Sequence, residues 1–204
     1  MSALLQLSRL IDRLSELIGR WVAWLVLAAV LISAANASVR KTLNIGSNAF
    51  LEIQWYLFAA VFLLAAGYTM MRQDHVKIDV ISVHLPKRTQ IWIDIVGICA
   101  FLFPFVIVVI TFALPLVIRA YETHEMSSNA GGLIRWPVFA LLPTGVALLG
   151  LQGVSELIKR IAFLRGLVPD PTRKPHTKTA EEELAETLAE HVAARERAAL
   201  EAKK

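Results

Sequence analysis

Four long apolar stretches, separated by short polar segments, dominate the first two-thirds of the chain. They cover about residues 21–35, 55–71, 95–118 and 136–158, and charged residues flank each of them. A helix of roughly 20 residues, rising 1.5 Å per residue, spans the ~30 Å hydrocarbon layer of a bilayer. Helices of a soluble domain need a polar face, which these stretches lack. The pattern therefore predicts an all-α integral membrane protein with four tilted transmembrane helices.

The residues before the first apolar stretch show a different pattern. Leu7, Ile11, Leu14 and Ile18 recur at helical spacing among polar and charged positions. This pattern is typical of an amphipathic helix that lies in the plane of the membrane interface. We therefore expect an N-terminal interfacial helix over residues 1–20.

The sequence pattern divides the chain into three regions, of which the last is the C-terminal segment. Beyond Gly166 the chain becomes polar and proline-containing, and Thr179–Glu182 matches a capping box that opens an Ala/Glu/Arg-rich helix. We expect a cytoplasmic linker and a charged helical tail there. The predicted regions are an interfacial helix (1–20), a four-helix transmembrane domain (21–165, with spans at about 21–39, 50–71, 88–118 and 134–160) and the cytoplasmic linker with its charged C-terminal helix (166–204).

A cleavable secretory signal is an alternative interpretation of the first span. Ala35-Asn36-Ala37 resembles a cleavage site behind an apolar run of about 15 residues. However, about 20 residues precede this run, and Asp12 and Glu16 are among them. These features favour a retained first helix.

The basic residues predict the orientation, because Lys and Arg are enriched in cytoplasmic loops. The N-terminal segment, the second loop and the region after the fourth span are rich in Lys and Arg. The first loop has only Arg40 and Lys41, and the third has only Arg119 and Arg135. We expect both termini and the second loop in the cytoplasm, and loops one and three on the outer side.

Composition excludes several classes of function. The net charge of +4 comes from basic residues beside the spans, which indicates membrane topology and no nucleic-acid groove. The one cysteine, Cys99, excludes an internal disulfide and a cysteine-based metal site. None of the five histidines lies in a span, so axial haem ligands are lacking, and no nucleophile or phosphate-loop motif occurs. The sequence predicts a protein that is not an enzyme and has no cofactor.

The ends of the helices carry specific expectations. Ser47 or Asn48 is expected to cap the second helix, with Glu52 in its first turn. The third helix is expected to begin near Pro86. Its ~50 Å length requires a tilt, a kink at Pro104 or Pro115, or projection from the bilayer.

Pairing within and between helices can also be predicted. Asp94 is expected near the inner headgroups, close to Lys87 or Arg88, and Glu156 is expected to pair with Lys159 or Arg160. Small residues at helical spacing in the fourth span, which would permit close helix contact, are Ala140, Thr144 and Ala147.

The middle of the spans is nearly free of polar residues. Glu52, Gln54, Asp94, Gln152 and Glu156 are expected towards the span ends. Secondary transporters place buried polar groups near the bilayer midplane. The pattern therefore favours a support or partner subunit, although homo-oligomers can also assemble a pore at subunit boundaries.

Two loops contain sequence motifs that insertion into a membrane does not by itself explain. The second reads Met-Arg-Gln-Asp-His-Val-Lys-Ile-Asp-Val over residues 71–80. The third reads Glu-Thr-His-Glu-Met-Ser-Ser over 122–128 and Gly-Gly-Leu-Ile-Arg-Trp-Pro over 131–137. With Glu52 and Trp55 at the start of the second helix, these segments resemble the small DctQ-type membrane subunit of tripartite ATP-independent periplasmic (TRAP) transporters, over about residues 14–165.

This resemblance implies a three-part, sodium-coupled importer of organic acids such as carboxylates. A periplasmic substrate-binding protein captures the anion, and a large multi-span permease subunit moves it by an elevator mechanism. The small subunit braces the large one within the lipid bilayer and binds no substrate or metal. The residues that we expect to make partner or structural contacts are Glu52, Trp55, Asp74, His75, Lys77, Asp79, Asp94, Glu122, Ser127, Ser128, Arg135, Trp136 and Pro137.

Two other classes of function stay open from the residues alone. A stand-alone homo-oligomeric channel or small transporter needs polar residues along one face at mid-depth. A membrane enzyme or redox bundle needs ligands or catalytic groups inside the spans, and none is evident.

Overall fold

The computed structural model describes residues 2–43, 47–73 and 85–169. Four helices within these ranges are long and apolar enough to cross a membrane, which confirms the predicted fold class. The predicted charged C-terminal helix lies outside the described residues. The helices are α1 (Ser2–Leu43), α2 (Asn48–Arg72), α3 (Lys87–Glu122) and α4 (Trp136–Leu164).

Helix α1 is continuous from Ser2 to Leu43, so the expected N-terminal helix and the first span form one element. Its 42 residues extend ~63 Å, about twice the hydrocarbon thickness. Residues 3–42 contain no proline to interrupt the backbone hydrogen bonds. That the first 20 residues lie in the membrane interface stays a prediction.

The first part of α1 buries its polar face and exposes its leucines. Ser8, Ile11 and Ser15 are buried, whereas Leu10 and Leu17 are more than half exposed. A soluble amphipathic helix shows the reverse arrangement. This segment therefore packs its polar groups against the protein, and its leucines are exposed to lipid or to another apolar surface.

Helix α3 contains a π-helical turn, Ile98–Leu102, just before Pro104. Proline has no N–H to donate and its ring crowds the carbonyl four residues earlier, and a π-turn widens the helix at such a point. We expected Pro104 to perturb this helix, and the π-helical turn is the perturbation that the structure shows there. Pro115 lies inside the α-helical segment that follows.

Helix α4 is the centre of the bundle and packs against α1, α2 and α3. Its contacts depend on glycines. A Cβ atom on Gly145 would lie 2.6 Å from the carbonyl oxygen of Leu63, and one on Gly150 would lie 3.0 Å from Val106. The absence of side chains at these positions lets the helices approach closely. The expected contact residue Thr144 is instead exposed, and its hydroxyl donates to the carbonyl of Ala140.

Candidate functional site

Two polar clusters lie at opposite ends of the bundle. We name them by a central residue: the Arg160 cluster, at the end where α2 and α4 finish and α1 and α3 begin, and the Glu52 cluster, at the other end. The Arg160 cluster consists of Ser8, Asp12, Ser15, Gln73, Asp94, Gln152, Ser155, Glu156, Lys159 and Arg160.

Buried charges on α4 form the core of the Arg160 cluster. The side chains of Glu156 and Arg160 are 2% and 4% exposed and form an ion pair one turn apart. Lys159 Nζ lies 2.5 Å from Glu156 Oε1. The predicted local pairs of Glu156 with its two cationic neighbours are therefore confirmed. A buried ion pair is maintained only when further hydrogen bonds satisfy its atoms.

Those further partners come from the other three helices. Arg160 Nε donates to Asp94 Oδ2 on α3 at 3.0 Å. Lys159 Nζ lies 3.2 Å from both carboxylate oxygens of Asp12 on α1. Gln73, which ends α2 with a left-handed backbone, donates from Nε2 to Glu156 Oε2 at 3.1 Å. One cluster thus connects all four helices.

Helix α1 is attached to α4 by a ladder of hydrogen bonds. The hydroxyl of Ser15 donates to Gln152 Oε1 at 2.7 Å, and Gln152 Nε2 donates to Asp12 Oδ1 at 2.9 Å. The hydroxyl oxygens of Ser8 and Ser155 are 2.8 Å apart. Gln152 was expected near a span end, but it lies near the middle of α4 and is fully buried. The polar interior therefore reaches deeper into the bundle than the sequence indicated.

The Glu52 cluster joins α2 to the connection between α3 and α4. Glu52 Oε1 accepts hydrogen bonds from the hydroxyl of Ser127 and from Asn129 Nδ2, the latter at 2.7 Å. Its Oε2 accepts the backbone N–H of Leu133 at 2.6 Å. Glu52 is buried, and its carboxylate is directed at this loop. It lies beyond the first turn of α2, contrary to our expectation, because the helix begins at Asn48.

Neighbouring contacts fix the rest of this loop. Asn48 Nδ2 donates to the carbonyl of Ala130 at 3.0 Å, and the hydroxyl of Tyr56 donates to the carbonyl of Ile134 at 3.0 Å. Position 132 requires glycine because the backbone passes close to Ser127, and a Cβ atom on residue 132 would lie 2.5 Å from Ser127 Cβ. The loop is therefore a built structure held on the start of α2.

The contact residues predicted from the sequence fall into several environments. Glu52 and Ser127 contact each other, and Asp94 belongs to the Arg160 cluster. Arg135 pairs with Glu125 at 3.0 Å, and the ring of Trp136 packs edge-on against Tyr121 with centroids 5.5 Å apart. Pro137 lies in the first turn of α4. The exposed members are Trp55, Glu122 and Ser128, whereas Asp74, His75, Lys77 and Asp79 lie outside the described residues.

Several residues of these clusters were not singled out from the sequence. From the sequence, we placed Asp12 and Ser15 in an interfacial helix. Their partners on α4 are 137 to 147 positions further along the sequence. The available signal was the spacing of Ser8, Asp12 and Ser15, which places three polar groups on one face of α1. Within the described ranges, no group of three or more His, Cys, Asp or Glu residues is arranged to hold a metal ion.

Comparison with known proteins adds one finding. The family model described as "Tripartite ATP-independent periplasmic transporters, DctQ component" matches residues 29–163. The match begins inside α1 and ends one residue before the last residue of α4. Neither the curated proteins nor the solved structures contain a match.

Proposed function

The chain belongs to the DctQ component family of tripartite ATP-independent periplasmic transporters, and from this premise we propose that it is the stationary brace of its transporter. It is a multi-pass membrane protein and a small transmembrane subunit of such a system. In the proposal, it widens the fixed scaffold against which a large permease subunit moves substrate. The family is one of transporter components and not of enzymes.

The Arg160 cluster is the observation that carries this proposal. A brace must keep its shape while its partner moves, and this cluster links all four helices through buried and half-buried groups. Separating α3 from α4 would break the ion pair of Arg160 with Asp94, and separating α1 would break that of Lys159 with Asp12. Because Asp94 and Asp12 are 28% and 27% exposed, each break costs about 1–3 kcal/mol, less than for a fully buried pair. Relative sliding of these helices is therefore strongly opposed.

The Glu52 cluster supports the same role at the other end. Glu52 holds the loop between α3 and α4 through three hydrogen bonds. Of the exposed residues here, Glu122 is the last residue of α3 and Ser128 lies within this fixed loop. In the proposed orientation, with both termini cytoplasmic, this loop faces the periplasm of a bacterial inner membrane. There it offers a fixed surface to a periplasmic substrate-binding protein.

The exposed apolar surface fits a subunit embedded in lipid beside a partner. Phe62 and Phe112 are each 78% exposed, and Phe101 is 76% exposed. Lipid provides no hydrophobic drive between helices, so contact with a large permease subunit would rest on packing and polar contacts. The proposed substrates are organic acids such as carboxylates, and the proposed coupling is to sodium.

Co-expression with the large permease subunit tests the proposal. An affinity tag on this chain is expected to retain the large subunit during purification in mild detergent. With the periplasmic binding protein added, sodium-driven organic-acid uptake is expected in liposomes that contain both membrane subunits. It is expected to be lost when this chain is omitted. Undiminished uptake without this chain would refute the bracing role.

A further inference from the structure

A polar groove opens between α1 and α2 near the Glu52 end of the bundle. It has a volume of about 520 Å³ and lies between the last three turns of α1 and the early turns of α2. Five polar side chains line it: Ser33, Asn36, Arg40, Lys41 and Gln54. It is separate from both polar clusters, because none of these residues belongs to either.

None of these five side chains has a hydrogen-bond or ion-pair partner within the described part of the chain. Asn36 and Gln54 are half-buried, yet neither amide makes a hydrogen bond to any described residue. Arg40 and Lys41 likewise form no ion pair with a described carboxylate. Polar groups on membrane-spanning helices are costly unless a polar partner satisfies them.

Polar residues next to the groove, in contrast, do have hydrogen-bond partners. On the same helix, the hydroxyls of Ser38 and Thr42 donate to carbonyls four residues earlier, at 2.9 and 2.8 Å. On α2, Glu52 turns away from the groove and binds the loop beyond it. The groove therefore keeps its polar side chains open to a ligand, and no carboxylate is among its described lining residues.

We propose that this groove binds a phosphate-bearing anion, in the form of the headgroup of an anionic phospholipid. An Arg guanidinium binds phosphate oxygens in a bidentate manner, and a Lys ammonium adds a point charge. The two amides and the serine hydroxyl supply hydrogen bonds for the remaining oxygens. The volume lies within the range of small-ligand sites, and a groove between two membrane-spanning helices is open to a lipid headgroup.

A simpler account explains only part of the groove. Cations in the last turn of a helix interact favourably with its dipole, and long basic side chains extend towards the membrane surface. This accounts for Arg40 and Lys41. It does not account for Asn36 and Gln54, which lie beside them with no partner among the described residues. The groove inference is independent of the proposed bracing function.

Native mass spectrometry of the full-length protein in neutral detergent tests the inference, with phosphatidylglycerol as the probe. Arg40→Gln and Asn36→Leu are each expected to weaken phosphatidylglycerol binding about tenfold. The first removes the cation that binds the phosphate, and the second removes an amide that donates a hydrogen bond to it. Gln54→Leu is a second neutral variant with the same expectation. Asn36→Leu and Gln54→Leu keep the net charge and make the helices more apolar.

The matched control is Arg119→Gln, which removes an exposed cation from the last turn of α3, away from the groove. It is expected to leave binding within twofold of the unmodified protein. Equal weakening by Arg119→Gln and Arg40→Gln, with no effect of Asn36→Leu, would show general charge attraction and overturn the site.

Two further probes identify the source of the phosphate group. Phosphatidylcholine, which has no net charge, is expected to bind at least tenfold more weakly, and equal binding would contradict recognition of an anion. Inorganic phosphate is expected not to displace phosphatidylglycerol. Displacement with the same dependence on Arg40 and Asn36 would retain the phosphate site and assign it to a soluble anion.

Discussion

Arg160 of α4 and Asp94 of α3 form an ion pair across 66 positions of sequence, with Arg160 Nε 3.0 Å from Asp94 Oδ2. Arg160 also pairs with Glu156, so a single guanidinium holds two carboxylates from two helices. Its planar fork of donors suits such a double role, which a Lys ammonium would fill less well. This contact fixes the early part of α3 on the centre of the bundle.

Replacement of Arg160 is therefore expected to destabilise the fold strongly. Arg160→Met leaves Asp94 without its α4 partner and removes one of the cations beside the buried Glu156, so we expect a loss of about 3 kcal/mol in the free energy of unfolding. Reversible unfolding in mixed micelles measures this loss. Arg20→Gln breaks an exposed pair with Glu16, whose side chains are 74% and 45% exposed, and is expected to change it by less than ~0.5 kcal/mol. Equal effects of the two substitutions would show that the Arg160 cluster is not buried.

Disulfide trapping tests whether the start of α1 packs on α4. In a Cys99→Ser background, Ser8→Cys with Ser155→Cys is expected to form a disulfide on mild oxidation, because the two hydroxyl oxygens are 2.8 Å apart. Leu7→Cys with Ser155→Cys is the control, because Leu7 lies on the exposed face. A shift on non-reducing gels or the mass of the cross-linked peptide reports the bond. Cross-linking of both pairs alike, or of neither, would mean that this segment is not docked as described.

Glu52 is expected to control the order of the loop between α3 and α4. Glu52→Gln replaces one carboxylate oxygen with an amide donor, so one of its three hydrogen bonds is lost and the others weaken. Hydrogen exchange of the Leu133 amide is expected to accelerate on the order of tenfold. Gln54→Ala, two positions further along α2, should leave that exchange unchanged. Unchanged hydrogen exchange of the Leu133 amide in the Glu52→Gln variant would show that Glu52 does not hold the loop.

The glycines of α4 and α3 should respond in opposite ways to alanine. Gly145→Ala places a methyl group 2.6 Å from the Leu63 carbonyl oxygen, a backbone atom that cannot move alone, and is expected to destabilise by about 1–3 kcal/mol. Apart from its chain neighbours and the backbone of its own helix, no described atom lies within 4 Å of a Cβ on Gly97. Gly97→Ala is expected to be neutral or to stabilise by up to ~1 kcal/mol. Thermal unfolding of the two variants under identical detergent conditions compares them, and equal stability would show that α2 and α4 are not in close contact.

The number of spans and the approximate limits of the last three could be predicted from the sequence, although the first span continues the N-terminal helix in one element. Apolar runs long enough to cross a bilayer are a local property, and so are the pairs of Glu156 with Lys159 and Arg160 one turn away. Family membership was accessible through the loop sequences on either side of α3. Each of these features is encoded within a short stretch of chain.

The partners of the buried polar groups could not be predicted, because they depend on which helix faces meet. Asp12 and Lys159 are 147 positions apart, and Glu52 and Leu133 are 81 apart. The polar face of α1 was read as facing the membrane surface, because an amphipathic pattern does not say whether protein or water covers its polar side. The glycine contacts of α4 likewise depend on the position of Leu63 on α2.

Flux measurements on liposomes that contain this chain alone test the central claim most directly. A stationary brace carries no solute, so we expect neither sodium-driven organic-acid uptake nor ion flux above that of empty liposomes. Uptake is expected only after the large permease subunit and the binding protein are added. Solute flux through liposomes with this chain as their only protein would contradict the account and favour a homo-oligomeric channel.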